Sequence, residues 1–271
     1  VEGCPSAITI VLANRIYISL SNLPNPLITR LKKLASFSNP KFSKAQGMRL
    51  STNGIARFIC LAELDNGYLS LPRGCLDDAQ EIFVDLKIKV DVVDKRVHGQ
   101  KLQLVNFQGE LRKSQQKAVD ALLNFDCGVL HAPTAFGKTV TAIGLIAQRK
   151  VNTLILVHSK QLADQWRERL TAFADGIDVG IYTGAKKKPT TQVDIATYQS
   201  LISRSDNTVN PIIQEYGQII VDECHHLSAP QYERVLSEAH AKYVYGVTAT
   251  LERRDGHQPI IFMQLGKVRH T

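Results

Sequence analysis

The run Ala132-Pro133-Thr134-Ala135-Phe136-Gly137-Lys138-Thr139 constrains this chain more than any other feature. It follows the apolar stretch Gly128–His131 and opens a helical pattern over Lys138–Gln148. A strand that leaves such a loop as a helix aims several backbone N–H groups at one point, where they hold phosphate oxygens. In that setting Gly137 permits the tight turn, the Lys138 ammonium reaches the β and γ phosphates, and the Thr139 hydroxyl is placed for Mg2+. Pro133, Thr134, Ala135 and Phe136 complete the cradle. Ala132 stands where the general pattern has its first glycine, and Phe136 is bulkier than the small or polar residues common at its place.

A second segment gives the loop a partner. Gln218–Val221 is an apolar strand that ends in Asp222-Glu223-Cys224-His225. Ligands of parallel sheets bind at the carboxyl ends of the strands. Asp222 is therefore expected to hold Mg2+, largely through water, and Glu223 to orient and deprotonate an attacking water. Thr248-Ala249-Thr250 closes a further strand, and its two hydroxyls are placed to hydrogen-bond His225 and relay the state of the site.

These segments lie in a regular alternation. Strands are expected at Gly128–His131, Val151–Val157, Val179–Tyr182, Asp194–Thr197, Gln218–Val221 and Val244–Thr248. Helices fit Arg112–Asn124, Lys138–Gln148, Lys160–Phe173, residues 229–237 and the short 197–203 stretch. Strand–helix alternation implies an α/β fold with a mostly parallel, doubly wound sheet over residues 106–271.

Residues 1–105 read differently, as a small α+β module. Ala7–Leu20 reads as strand. Asn25-Pro26 opens a helix whose Leu27, Ile28, Leu31, Leu34 and Ala35 share one face, and Asn39-Pro40 stops it. Ile55–Leu64 and Tyr68–Leu71 read as strands joined through Asp65-Asn66-Gly67. A short helix at 77–83 and a half-buried strand at 86–93 follow, and Lys95–Gln108 crosses to the second region.

Charge is uneven along the chain. The net is +8, and residues 1–50 hold seven Lys/Arg against one acid, Glu2. That basic block suits a polyanion, and equally a solvated face. Five scattered cysteines at 4, 60, 75, 127 and 224 form no CxxC pair, so they read as small buried residues in a reducing, cytoplasmic or nucleoid-associated setting. No apolar run approaches the ~20 residues of a membrane helix. The chain does not begin with Met, as a piece of a longer protein would not.

Taken together, the segments resemble the first RecA-like domain of superfamily 2 helicases of the DEAD/DEAH-like type. Leu111–Gln116 looks like the adenine-reading Q-type motif, Ala132–Thr139 motif I, Leu156–Trp166 motif Ia, Asp222–His225 motif II and Thr248–Thr250 motif III. Tyr182-Thr183-Gly184 and Ala196–Ser200 fall where further nucleic-acid contacts lie. The DECH form of motif II, Ala196–Ser200 and the tail Arg253-Arg254-Asp255-Gly256 are similar to the xeroderma pigmentosum group B repair-helicase branch and its phage branch-migration relatives. Residues 1–105 resemble the small DNA-engaging domain of those proteins, through Asn39–Phe42 and Gly67–Gly74. Leu251 departs from the Pro usual in them.

The resemblance implies an ATP- and Mg2+-dependent motor on DNA, single-stranded, forked or branched. Gln115 would read adenine with Arg112 supporting the pocket. Ser159, Lys160, Gln161, Thr183, Gly184, Thr197 and Gln199 would grip the sugar–phosphate backbone. Lys160 also reads as a solvated helix start, Gln199 as a polar cap, Trp166 as core, Lys186-Lys187-Lys188 as a solvated loop with phosphate contact as the lesser alternative, and His226 as structural or exposed. A second RecA-like domain, which supplies arginine fingers in this family, does not follow motif III, so weak turnover is expected of these residues alone. An RNA helicase, a restriction-type motor subunit and a non-hydrolysing nucleic-acid-binding switch are the alternatives.

Overall fold

The computed structural model describes residues 3–228, 230–253 and 255–271. Glu2, Ala229 and Arg254, used in the charge, helix and tail readings above, lie outside them. The chain forms two compact units: residues up to Lys95 with Glu252–Gly266, and Arg96–Leu251 with Lys267–Thr271.

The first unit contains β1 (Ala7–Leu12), β2 (Arg15–Ser19), α1 (Asn25–Leu34), β3 (Ser36–Ser38), α2 (Pro40–Gly47), β4 (Phe58–Cys60), β5 (Glu63–Asp65), β6 (Tyr68–Pro72), α3 (Leu76–Asp85) and β7 (Lys89–Asp94). The expected strand over Ala7–Leu20 is two strands. They pair antiparallel, with Ile10 opposite Ile18 and Leu12 opposite Ile16. Their sheet runs β5-β6-β2-β1-β7. Asn66 and Gly67 both take positive φ, 47° and 78°, as the two-residue hairpin between β5 and β6 demands.

The asparagine readings change. Asn25 is the first residue of α1 and caps nothing; Pro24 holds the cap position without a side-chain bond. Asn39 caps the next helix rather than ending the previous one. Its carboxamide oxygen accepts from Lys41 N–H at 3.0 Å and its amide donates to Ala56 O at 2.8 Å. The amphipathic face of α1 buries Leu27 and Leu31 against Ile10, Ile18, Leu69, Leu71 and Phe83.

The second unit contains β8 (Asn106–Phe107), α4 (Lys113–Leu123), β9 (Cys127–His131), α5 (Lys138–Arg149), β10 (Thr153–Val157), α6 (Lys160–Phe173), β11 (Ala174–Asp175), β12 (Val179–Thr183), β13 (Lys186–Lys188), β14 (Val193–Thr197), α7 (Tyr198–Leu201), β15 (Gln218–Asp222), α8 (Pro230–Ser237), β16 (Tyr243–Thr248) and β17 (Val268–His270). The large sheet runs β13-β12-β14-β10-β15-β16-β9-β17. Its pairings are parallel except β12 with β13. Every residue of β10, β14 and β15 is buried, so both faces of the sheet centre are covered, as in a doubly wound fold.

Two boundaries differ from the sequence reading. The second unit starts at Arg96, not 106, because Leu102 and Val105 sit in its core beside Ile143, Ile155 and Trp166. Glu252–Gly266 returns to the first unit, where Ile260, Ile261 and Leu265 of α9 (Pro259–Leu265) are buried. Lys186–Lys188 is strand β13, not a loop. Cys75 and Cys224 are buried, but Cys60 is exposed.

Candidate functional site

The strand order decides what the carboxyl edge of the large sheet holds. β15, β16 and β9 are neighbours, so Asp222, Thr248 and the loop after His131 come together. On the other side of β15, strands β10, β14 and β12 bring His158, Thr197 and Thr183 together.

In the loop, Thr134–Phe136 makes one turn of 3-10 helix, and Gly137 then takes φ 81° to start α5. Lys138 is buried and folds back, donating to Ala132 O at 3.3 Å and Pro133 O at 3.4 Å. These are weak bonds that a phosphate oxygen can replace. Thr139 lies half-buried in the first turn of α5. The exposed side chains of Pro133, Thr134 and Ala135 leave the backbone as the cradle.

The Q-type residues lie against this loop. Arg112 N–H donates to Gln115 Oε1 at 3.0 Å, and Gln115 Nε2 donates to Phe136 O at 3.0 Å. The Arg112 guanidinium also donates to Phe136 O and Ala135 O. Both ends of the Gln115 amide are thus engaged within the chain, so the residue braces the loop in this conformation. A Cβ added at Gly137 would lie 2.6 Å from Gln115 Nε2. Gly137→Ala is therefore expected to cost about 1–2 kcal/mol from the left-handed backbone alone, and to weaken nucleotide binding by displacing Gln115. Thermal melts and a nucleotide titration check both effects.

Asp222 is buried near Lys138. One carboxylate oxygen accepts from Glu223 N–H at 2.9 Å, and the other accepts from Trp166 Nε1–H at 2.8 Å. Burial pushes its carboxyl above the usual range; the Glu223 charge adds to this, while the Trp166 hydrogen bond and the Lys138 charge oppose it. Glu223 takes φ 46°, a left-handed conformation that is costly outside glycine and tends to persist at functional positions.

His225 Nδ1 lies 2.9 Å from Thr248 Oγ1 and 3.3 Å from Glu223 Oε2. The Thr248 hydroxyl donates to Thr250 O at 2.9 Å, which assigns the proton to His225 Nδ1. Thr248 alone of the two threonines meets His225; Thr250 contributes backbone groups, its N–H donating back to Thr248 Oγ1 at 3.1 Å. The His226 ring lies tilted between those of His225 and His158, with centroids at 4.1 and 4.5 Å. No local residue pattern signals this three-ring contact, which joins the two halves of the edge.

The second half is an open cavity of about 1140 Å3. Ser159, Lys160, Thr183, Gly184, Thr197 and Gln199 all line it; Gln161 is exposed on α6 but does not. Ser159 caps α6, accepting from Leu162 N–H at 3.3 Å. Thr197 and Ser200 share a hydroxyl hydrogen bond of 2.6 Å, and Ser200 accepts from Gly184 N–H at 2.8 Å. Gln199 donates to His158 O at 3.3 Å. Lys186 and Lys187, read above as a solvated loop with phosphate contact as the lesser alternative, also line the cavity, as does Arg204, which the motif reading did not include.

The donor set suits magnesium. Thr139 and Asp222 offer hard oxygens only, and no group of three or more His, Cys, Asp or Glu forms a metal cage among the described residues. Magnesium typically keeps several waters and shares phosphate oxygens, so one or two protein oxygens suffice.

A family model described as type III restriction enzyme, res subunit, matches residues 108–253, over half of the chain. The DNA 3'-5' translocase XPB2 of Sulfurisphaera tokodaii is 30% identical over 191 residues, 70% of this chain and 42% of the relative. The DNA 3'-5' helicase XPB of Kineococcus radiotolerans is 34% identical over 186 residues, 66% of this chain and 32% of the relative. The chain thus spans less than half the length of these curated relatives. Among solved structures, the UvsW helicase from bacteriophage T4 superposes with a TM-score of 0.71 at 16% identity, over 98% of this chain and all of that one, a likeness of fold. No helix among the described residues is long and apolar enough to cross a membrane. The chain belongs to the family described as type III restriction enzyme, res subunit.

Proposed function

We propose that this chain is the ATP-binding half of an ATP-dependent DNA helicase or translocase. The observation that carries the reading is the shared carboxyl edge: a phosphate loop and acid pair on β9 and β15, beside a polar cavity on β10, β12 and β14. In this reading the loop N–H groups and Lys138 hold the β and γ phosphates. Thr139 and Asp222 would hold Mg2+, which would supply charge neutralisation. Glu223 takes the proton of the attacking water. His225, hydrogen-bonded to Thr248 and close to Glu223, ties the catalytic carboxylate to motif III. The hydroxyl, amide and lysine groups around the cavity suit a sugar–phosphate backbone, because they grip phosphates without reading bases.

DNA is the preferred polymer because the relatives above are named for action on it. A putative ATP-dependent RNA helicase of Acanthamoeba polyphaga mimivirus, 30% identical over 173 residues, keeps RNA as the second reading. The deciding experiment is ATP turnover with single-stranded DNA, forked DNA and RNA. Stimulation by DNA supports the proposal, stimulation by RNA alone replaces it with the second reading, and failure to bind ATP overturns both. A second RecA-like domain is the partner expected to complete the site; joining one to this chain should raise turnover by about 10³–10⁵-fold if it brings an arginine finger.

The N-terminal unit is proposed to engage DNA through its basic block. Lys33, Lys41 and Lys44 are exposed and Lys32 half-exposed, and α2 leads into Met48 and Leu50, each 61% exposed. Changing Lys32, Lys33, Lys41 and Lys44 together to Gln should flatten the salt dependence of DNA binding by about one unit of slope for each phosphate no longer neutralised. An unchanged slope would identify the block as a solvated face.

A further inference from the structure

We propose that Trp166 is a positioning residue for the magnesium site: its indole N–H fixes the Asp222 carboxylate in the orientation that metal binding needs. The inference rests on the ATP-site reading above and extends it to a residue outside the motif II and phosphate-loop sets.

Trp166 is 1% exposed, and its only polar side-chain atom donates to Asp222 Oδ2 at 2.8 Å. A tryptophan needed only for bulk would satisfy its N–H with any nearby carbonyl. Here the partner is the one buried acid at the carboxyl end of β15. With the Glu223 N–H on the other oxygen, the carboxylate is held from both sides, and its rotation about the last side-chain bond is removed. A hydrogen bond to a charged, buried acceptor belongs to the stronger class.

The ring itself is immobile. It packs in the cluster of Ile143, Ile155, Val157, Ala163, Leu170 and Ile220, so the donor is set by the core. Trp166 lies on α6, whose Ser159 cap and first residue, Lys160, line the polar cavity. Trp166 lies seven positions after Ser159, a rise of roughly 10 Å along the helix. One rigid element therefore carries both the cavity-lining Ser159 and Lys160 and the donor to the proposed metal ligand.

The chain holds one tryptophan, so its fluorescence reports this hydrogen bond directly. The first measurement is the emission of the unaltered chain as Mg2+ is added in the presence of a non-hydrolysable ATP analogue. A shift that saturates with Mg2+, and that is lost in Asp222→Asn, is expected. The second uses Trp166→Phe and a fluorescently labelled form of the same analogue. Binding without Mg2+ should match the unaltered chain, while the Mg2+ concentration for half-maximal enhancement should rise about 10-fold or more, as losses of outer-shell partners typically do.

A purely structural tryptophan would lower the melting temperature of Trp166→Phe and leave the Mg2+ midpoint in place, which would overturn the proposal. Emission indifferent to Mg2+ while the analogue binds would overturn it too, and needs no variant to fold. If the analogue does not bind at all, or binds without regard to Lys138→Ala, the ATP-site reading itself fails, and the inference with it.

Discussion

Replacing Glu223 with Gln is expected to lower ATP turnover by about 10²–10⁴-fold, the range of a lost general base, while nucleotide binding survives. The substitution keeps size and shape, so the left-handed backbone at 223 and the Asp222–Glu223 N–H bond are undisturbed. What disappears is the basic oxygen, the same Oε2 that lies 3.3 Å from His225 Nδ1. Lys138→Ala should do the opposite and abolish binding. That side chain is buried, and its ammonium is spent on two long bonds to loop carbonyls, so it is poised to exchange them for phosphate. Phosphate release and calorimetric nucleotide titration on both variants separate the two effects. Turnover unchanged in Glu223→Gln would remove Glu223 from the chemistry.

Asp194→Ala is expected to destabilise the second unit by roughly 3–5 kcal/mol, because it strands several buried donors at once. Asp194 is fully buried at the start of β14. Its oxygens accept from Thr190 N–H, Thr190 Oγ1 and Thr191 N–H, each at 2.8 Å, and from the Tyr216 hydroxyl. That hydroxyl is held in its protonated form, its pKa raised mainly by burial and further by Asp194. Domains have only about 5–15 kcal/mol of stability in all, so the variant should unfold at much lower urea. Asp194→Asn keeps one acceptor and should lose distinctly less. Equal, small losses in the two variants would show that the donors find water instead. Because β14 ends at Thr197, loosening its start is also expected to disturb the cavity edge.

Some of this was legible in the residues alone. The phosphate loop, the acid pair and the Thr248–Thr250 segment are each carried by contiguous residues at the end of a strand, and the physics of each acts over one turn of chain. The strand and helix periodicities of residues 106–250 likewise need only neighbours two to four positions away. The N-terminal unit was harder, because its signals are ambiguous locally. An Asn-Pro pair starts a helix or stops one depending on which backbone the side chain reaches, and Asn39 reaches Lys41 and Ala56.

What the chain by itself determined is the set of local machines: a loop that can hold phosphates, two acids at a strand end, and an alternation that must stack into a parallel sheet. What only the tertiary structure decided is who meets whom. The order β10-β15-β16-β9 joins Asp222 to Trp166, His225 to Thr248 and His158 to His226, across separations of 56, 23 and 68 positions. The return of Glu252–Gly266 to the first unit is of the same kind. Such pairings follow from the burial of whole faces and the crossing of strands. Hydrogen bonds are short-ranged, so no spacing rule along the sequence reveals which distant donor a buried carboxylate will find.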